Sequence, residues 1–159
     1  MHNDQLENWF NAKPDNINDW LNEGLRIGVD VFNMHTGIVS EIHSQSYLIK
    51  AVYSKLGEVF TPGQEFELAN TYCAAVSKTH KTITYKQVGA IPTMILHPVY
   101  VAVQLESYIG TPLYDKNKSF IGTLNFSSHA IRRNDYSAEE IVLIERMAKK
   151  ISQLMYQAI

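Results

Sequence analysis

Ser107-Tyr-Ile-Gly-Thr-Pro-Leu-Tyr114, the polar turn Asp115-Lys-Asn-Lys118, and Ser119-Phe-Ile-Gly-Thr-Leu-Asn-Phe-Ser-Ser128 decide how this chain folds. The segment reads as two β-strands joined by a tight turn. Successive side chains of a strand point to opposite faces, so Thr123, Asn125 and Ser127 share one face and Gly122, Leu124 and Phe126 the other. A polar row on a central strand must face either water or a cavity that holds something polar, because a buried polar group without a partner costs about 1–3 kcal/mol.

Downstream of this hairpin, Arg132-Arg-Asn-Asp135 leads into the best specified helix of the chain. Ser137 caps it, Glu140 completes a capping box three residues later, and Tyr136 is placed to staple onto Ile141. Ile141, Ile144, Ala148, Ile151, Met155 and Ala158 then recur at spacings of three and four, widened by Leu143, Met147 and Leu154. One edge of this stripe is expected to cover the sheet and the other to pair with its copy in a homodimer, since two-fold pairs are the commonest oligomers.

Upstream, Thr36 to His43 and Tyr47 to Ser54 are rich in β-branched and aromatic residues and form a second antiparallel hairpin across Ser44-Gln-Ser46. Before it, Leu21, Gly24, Leu25, Gly28 and Phe32 give a helical face from about Asn16. After it come a loop punctuated by Gly57 and Pro62-Gly63 and a helix with Ala69, Tyr72, Cys73 and Val76 on its inner face. Thr82 to Tyr85 reads as a short strand, and residues 88 to 105 as an irregular segment with helical turns around Pro92 and after Pro98. Residues 1 to 15 lack a period and break at Pro14, so they are expected as an arm or short helix that packs on a partner, beside one domain over 16–159.

At 159 residues there is room for a single core, and 14 basic against 16 acidic side chains, without a run of either sign, argue against nucleic-acid binding. One cysteine, Cys73, excludes an intramolecular disulfide framework. The mixed polar start and the absence of a run of about 18 apolar residues lead to the expectation of a cytoplasmic protein that does not enter a membrane. His2, His35, His43, His80 and His129 show no metal-ligand spacing, so no metal is expected.

The order helix, hairpin, helix, short strand, irregular segment, hairpin, helix, carried by Tyr108-Ile-Gly-Thr-Pro-Leu113, Phe120-Ile-Gly-Thr-Leu-Asn-Phe-Ser-Ser128 and the aromatic and acidic start of the last helix, resembles a GAF domain over residues 20 to 158. The resemblance implies an α+β fold: an antiparallel sheet of five or six strands, terminal helices on one side, and a loop and short-helix pocket for a small molecule on the other. It also implies a sensory module, usually dimeric through its terminal helices. Cyclic-nucleotide-binding members carry an Asn-Lys pair leaving the strand; here Asn125 is kept but Phe126 stands at the Lys position, while Tyr136, Glu139 and Glu140 approximate the later Phe and acidic pair. Members that attach a linear tetrapyrrole use a cysteine in the pocket segment; here that segment holds His97-Pro98 without one, so a covalent bilin is not expected. Members that reduce free methionine sulfoxide need a resolving cysteine beside the attacking one.

Three groups of site candidates follow. Thr123, Asn125 and Ser127 with Thr111 of the facing strand form an expected floor that mixes methyls with hydrogen-bonding groups, suited to a small polar or amphiphilic ligand. His97 and Tyr100 lie three residues apart beside Pro98, and Glu106 is placed to pair with one of them; a carboxylate beside His97 would hold its proton and make it a donor to an anionic ligand. Tyr85 is a further lining candidate. Cys73, on an apolar face without a basic neighbour in sequence, is expected to be an inert buried thiol. The expected function is ligand-gated regulation, in which the Leu25 and Ile144 helices repack and signal to a partner protein in trans. The rivals are a redox enzyme acting on a sulfur compound through Cys73, and an interaction module with a filled, vestigial pocket.

Overall fold

Residues 2–157 are described by a computed structural model. Helices α1 (His2–Asn11) and α2 (Ile17–Val31) precede the hairpin β1 (Thr36–His43) and β2 (Ser46–Ser54). A short strand β3 (Glu65–Glu67), a 3-10 turn at Leu68–Asn70, helix α3 (Cys73–Thr79) and strand β4 (Ile83–Tyr85) follow. A 3-10 turn at Val88–Ala90 and helix α4 (Pro98–Val103) lead to β5 (Ser107–Tyr114), β6 (Phe120–Ser128) and helix α5 (Ala138–Ser152), which ends in a wide π turn at Gln153–Gln157. Ala158, the last position of the expected apolar stripe, lies outside the described residues.

The six strands form one antiparallel sheet in the order β3-β2-β1-β6-β5-β4. The two hairpins meet along β1 and β6, so the polar row of β6 lies at the centre of the sheet. On one face pack α1, α2 and α5, with a core that includes Leu21, Leu25, Val39, Ile109, Leu113, Leu124, Phe126, Ile144 and Met147. On the other face a second core gathers Ile38, Tyr47, Ile49, Leu68, Tyr72, Cys73, Val76, Val88 and Tyr108 beneath α3, α4 and the connecting loops. Among the described residues no helix is long and apolar enough to cross a membrane.

Local sequence accounts for these elements. Asn16 caps α2 by accepting from the Asp19 backbone N–H at 3.0 Å. Ser137 and Glu140 form the reciprocal capping box of α5. The two glycines on the inner face of α2 are there for space. A Cβ at Gly24 would lie 2.6 Å from the Trp9 indole, and one at Gly28 would lie 2.2 Å from the tip of the Phe126 ring. The first fifteen residues, expected as an arm or short helix, contain α1, and its Trp9 is buried against α2.

The expected continuous helix through Ala69 and Val76 is corrected. Thr71 is extended at φ −125° and ψ 156°, with its hydroxyl donating to the Leu68 carbonyl at 2.9 Å, so a 3-10 turn and α3 replace one helix. That break swings Tyr72 and Cys73 over the second face of the sheet.

Candidate functional site

The second face of the sheet and the segments above it leave a cavity of about 340 Å³. Larger hollows of 770 Å³ along the α1 and α5 seam and 680 Å³ beside β4 and α5 are surface grooves outside this layer. The cavity floor is built from Ile38, Tyr47, Ile49, Asn125 and Ser127 of the central strands. Tyr72, Cys73 and Tyr108 form one wall, Phe60, Phe66 and Asn70 another, and Pro98, Val99, Ala102, Val103 and Leu105 form a lid. None of the lining side chains among the described residues is charged.

Two bulges set which side chains form this floor. Between β1 and β2 the pairing steps from Val39↔Ala51 to Ser40↔Ile49, leaving Lys50 without a partner in register and turning Ile49 and Tyr47 to the cavity side. In the β5–β6 hairpin it steps from Tyr114↔Phe120 to Leu113↔Gly122, which leaves Ile121 extra. Counting back from the turn without that extra residue would set Thr111 opposite Thr123; the bulge sets it opposite Leu124 instead. Thr111 is therefore corrected: it lies on the helix-covered face, buried, with its hydroxyl 2.8 Å from that of Thr82. Its place in the expected floor opposite Thr123 is taken by Pro112.

Thr123, Asn125 and Ser127 point inward as the sequence indicates, at 0%, 4% and 7% exposure. Thr123 lies below the open space and ties the layer together. Its hydroxyl is 2.7 Å from that of Ser40 and 3.2 Å from Cys73 Sγ, and its backbone N–H donates to Ser40 Oγ at 3.2 Å. Asn125 Nδ2 donates to the Tyr47 hydroxyl and to Thr123 Oγ1, both at 3.1 Å. The opposite atom of that amide, Oδ1, accepts nothing from any described residue, and neither does Ser127 Oγ exchange a hydrogen bond. Every fully buried side-chain nitrogen or oxygen among the described residues has a partner, so these two oxygens still reach open space, and the space they border is the cavity.

Cys73, which the sequence places on an inner helix face, proves to be part of the cavity wall. Its Sγ is 3.0 Å from the Tyr108 hydroxyl and 3.8 Å from that of Tyr47. Burial pushes the thiol above its ordinary range, against the pull of the Thr123, Tyr108 and Tyr47 hydroxyls. Burial likewise raises both phenols well above theirs, so the group stays neutral. Gly110 makes the Tyr108 pose possible: a Cβ there would lie 2.1 Å from the phenolic oxygen.

The lid is held by His97, Tyr100 and Glu106, though not as expected. Glu106 pairs with Tyr100, whose hydroxyl donates to Oε2 at 3.0 Å, while Oε1 accepts from the Gly89 backbone N–H at 2.9 Å. Among the described residues no carboxylate pairs with His97. Its Nδ1 accepts from the Val99 N–H at 3.2 Å as the cap of α4, and its ring lies 4.9 Å from that of Tyr72. Burial pushes the imidazole below its ordinary range, with a hydrogen bond to the Thr71 backbone acting the other way. The expected charged donor is thus a neutral capping residue. Tyr72 adds a further fastening by donating to the Leu105 carbonyl at 2.7 Å. Tyr85 sits behind the wall, with its ring 5.5 Å from Tyr72 and 5.9 Å from Tyr108, and supports both without bordering the open space.

Tyr47, Tyr72 and Tyr108, with Asn70 and Thr71, are polar lining residues that sequence reasoning missed. The signal for Tyr108 was present, since it stands opposite Ser127 once the hairpin is correctly registered. Tyr47 was hidden by the bulge at Lys50 and Tyr72 by the break at Thr71. Among the described residues no group of His, Cys, Asp and Glu side chains is arranged to hold a metal ion.

No protein-family model matches the chain, and no curated protein sequence matches it. Solved structures do. The GAF domain from Acinetobacter phosphoenolpyruvate-protein phosphotransferase superimposes with a TM-score of 0.73 at 14% identity, covering 97% of this chain and 92% of that one. The free methionine-R-sulfoxide reductase from Neisseria meningitidis, solved in complex with its substrate, gives 0.72 at 14% identity over 96% and 87%. A phycocyanobilin-bound GAF domain from a cyanobacterial phytochrome gives 0.69 at 11% identity over 99% and 98%.

Proposed function

The chain has the GAF fold, and from the uncharged cavity that this fold carries here we propose a non-catalytic regulatory domain that binds a small neutral molecule reversibly. The observation that carries the reading is the pair of inward oxygens, Asn125 Oδ1 and Ser127 Oγ, at the base of a cavity whose other surfaces are mostly aromatic and aliphatic, with Asn70, Thr71 and Cys73 as further uncharged polar lining. Unpaired polar atoms in an apolar hollow are stabilised by a ligand that supplies their hydrogen bonds. An ionised ligand is disfavoured, because no lining side chain compensates its charge.

Occupancy is read through the terminal helices. β6 carries Asn125 on the cavity side and Leu124 and Phe126 on the other, where Phe126 fits against Gly28 of α2 and the core holds Ile144 of α5. A ligand preferring one setting of β6 and the lid shifts the α2 and α5 packing, in a homodimer whose output is a cytoplasmic partner protein in trans. Nucleic acid is not the partner for a chain with 14 basic and 16 acidic residues.

The redox-enzyme reading has one observation in its favour, the position of Cys73 on the cavity wall beside Tyr108. Against it stand a thiol held protonated by burial and the lack of a second cysteine. Native mass spectrometry of freshly purified protein, followed by thermal unfolding against a metabolite library, tests the proposal. A binder at 100 times its dissociation constant adds about 2.7 kcal/mol of stability. A dimer mass with a non-covalent adduct, or such a shift, is expected; no adduct and no shift with any compound would leave a vestigial pocket, and turnover of a sulfur compound with oxidation of Cys73 would favour the enzyme.

A further inference from the structure

The floor of the cavity specifies more than neutrality. Resting on the reading of this cavity as a ligand site, we propose that its ligand is a flat, uncharged heterocycle presenting a lactam-type edge, an N–H beside a C=O, to Asn125 and Ser127. Asn125 Nδ2 is already committed to Tyr47 and Thr123, which turns the amide so that only its oxygen remains for a ligand. That oxygen accepts and cannot donate, so the ligand must bring an N–H or O–H to it. Ser127 Oγ, which exchanges no hydrogen bond with any described residue, both donates and accepts, and so complements a carbonyl on the same ligand.

The two side chains are neighbours on the cavity side of β6. Asn125 and Ser127 are successive residues on one face of β6, about 7 Å apart along the strand at about 3.3 Å per residue. A ring lactam carries its N–H and C=O side by side and pointing the same way, so it meets the two side chains where their polar ends lean together over the cavity from neighbouring positions of one face. Above the floor stand Tyr72 and Tyr108, whose rings meet edge to face at 5.6 Å, and across the cavity is Phe60, so the volume between is bounded by aromatic surfaces that favour a ring over a chain. A volume of 340 Å³ is at the small end of ligand pockets, which run from about 300 to 1,000 Å³, and this limits the ligand to about one or two rings.

Titration calorimetry of the full chain with three two-ring probes tests this: 2-quinolone, 1-methyl-2-quinolone, in which the N–H is replaced, and quinoline-2-carboxylate, which is anionic. The 2-quinolone is expected to bind at least about tenfold more tightly than either of the others, since a site built to hydrogen-bond rejects the analogue that leaves its polar group unpaired. Asn125→Leu is expected to remove the difference between the quinolone and its methyl derivative while retaining ring binding; if that variant does not fold, the comparison on the unaltered protein decides. Equal binding of the two quinolones overturns the lactam edge and leaves the neutral-ligand domain standing. Tighter binding of the carboxylate overturns both. If no probe binds, the ligand retained through purification decides: a retained compound with the N–H and C=O edge supports the proposal, one without it overturns the edge alone, and no retained compound overturns both readings.

Discussion

Trp9 and Trp20 stack with ring centroids 4.3 Å apart and planes within 1°, and each indole N–H donates to the other residue's backbone carbonyl, at 2.8 and 3.0 Å. This reciprocal clasp fastens α1 to α2 and is completed by Gly24, which gives the Trp9 ring its space. Both indoles are buried, so the clasp is part of the helix-side core. Trp9→Ala removes the stack, one indole donor and the filling of the Gly24 notch. Its expected cost is about 3–5 kcal/mol, the range for truncating a large buried aromatic, measured as a lower urea midpoint. Unchanged unfolding would show that α1 contributes nothing to the domain.

Gly28 is a position where the better helix former is expected to lose. Alanine is favoured over glycine in a helix interior by about 1 kcal/mol. A Cβ at Gly28, however, meets the Phe126 ring at 2.2 Å, and Phe126 is itself fully buried with its ring 5.1 Å from that of Phe32. Overpacking of this kind costs about 1–3 kcal/mol, so Gly28→Ala is expected to destabilise on balance. Adding Phe126→Leu makes room, and the double variant is expected to be more stable than the sum of the single changes predicts. Additive losses in thermal unfolding would show that the two residues do not share the space.

How much of the site was legible depended on whether a signal was local. Strand bounds at Thr36, His43, Ser107 and Ser128, the capping box at Ser137, and the inward polar row of β6 were legible, because alternation and capping act within a few residues. The GAF-type arrangement of the sheet followed from their order. What failed was register. Single extra residues at Lys50 and Ile121 invert the parity beyond them, and nothing in the composition of either strand marks the inversion. Thr111 was assigned to the wrong face for that reason alone, and Tyr47 was missed for the same one. Glu106 was rightly placed near His97 and Tyr100 in the chain, but its choice of Tyr100 and the Gly89 N–H depends on the 3-10 turn at Val88–Ala90, a tertiary detail.

Glu106 is expected to govern the lid. Its two oxygens join the turn before the lid, through Gly89, to the lid helix α4, through Tyr100. No residue of α4 is buried, so these polar fastenings and the Tyr72 bond to Leu105 hold it more than packing does. Glu106→Ala removes both acceptors and is expected to raise amide exchange at Gly89, Val101 and Gln104 by an order of magnitude or more, while Val39 and Leu124 in the central strands keep their protection. Exchange that is unchanged at Gly89, or raised equally in β1 and β6, would show that Glu106 is not a local clasp.

Stability is expected to fall on both sides of neutral pH, for different groups. Cys73, Tyr47 and Tyr108 have raised values in the folded state, chiefly from burial, so the native protein holds their protons where the unfolded chain releases them. Stability is therefore complete below the ordinary thiol value of about 8.5 and decreases as pH rises through the thiol and then the phenol range. His35 and His97 are lowered, first by burial and, for His35, also by His129 and Lys55. The unfolded chain then binds protons that the native state refuses, so stability is complete above about pH 6.5 and decreases as pH falls below it. Protonation of His97 also removes the Nδ1 acceptor of the α4 cap. Unfolding midpoints from pH 5 to 11 are expected to trace a plateau near pH 7–8 with a decline on each side. Cys73→Ala should flatten the first part of the alkaline decline, and His97→Asn, which keeps a capping acceptor without a titration, should reduce the acidic one. An alkaline limb that begins at the same pH without Cys73 would show that the thiol is not held protonated by the fold.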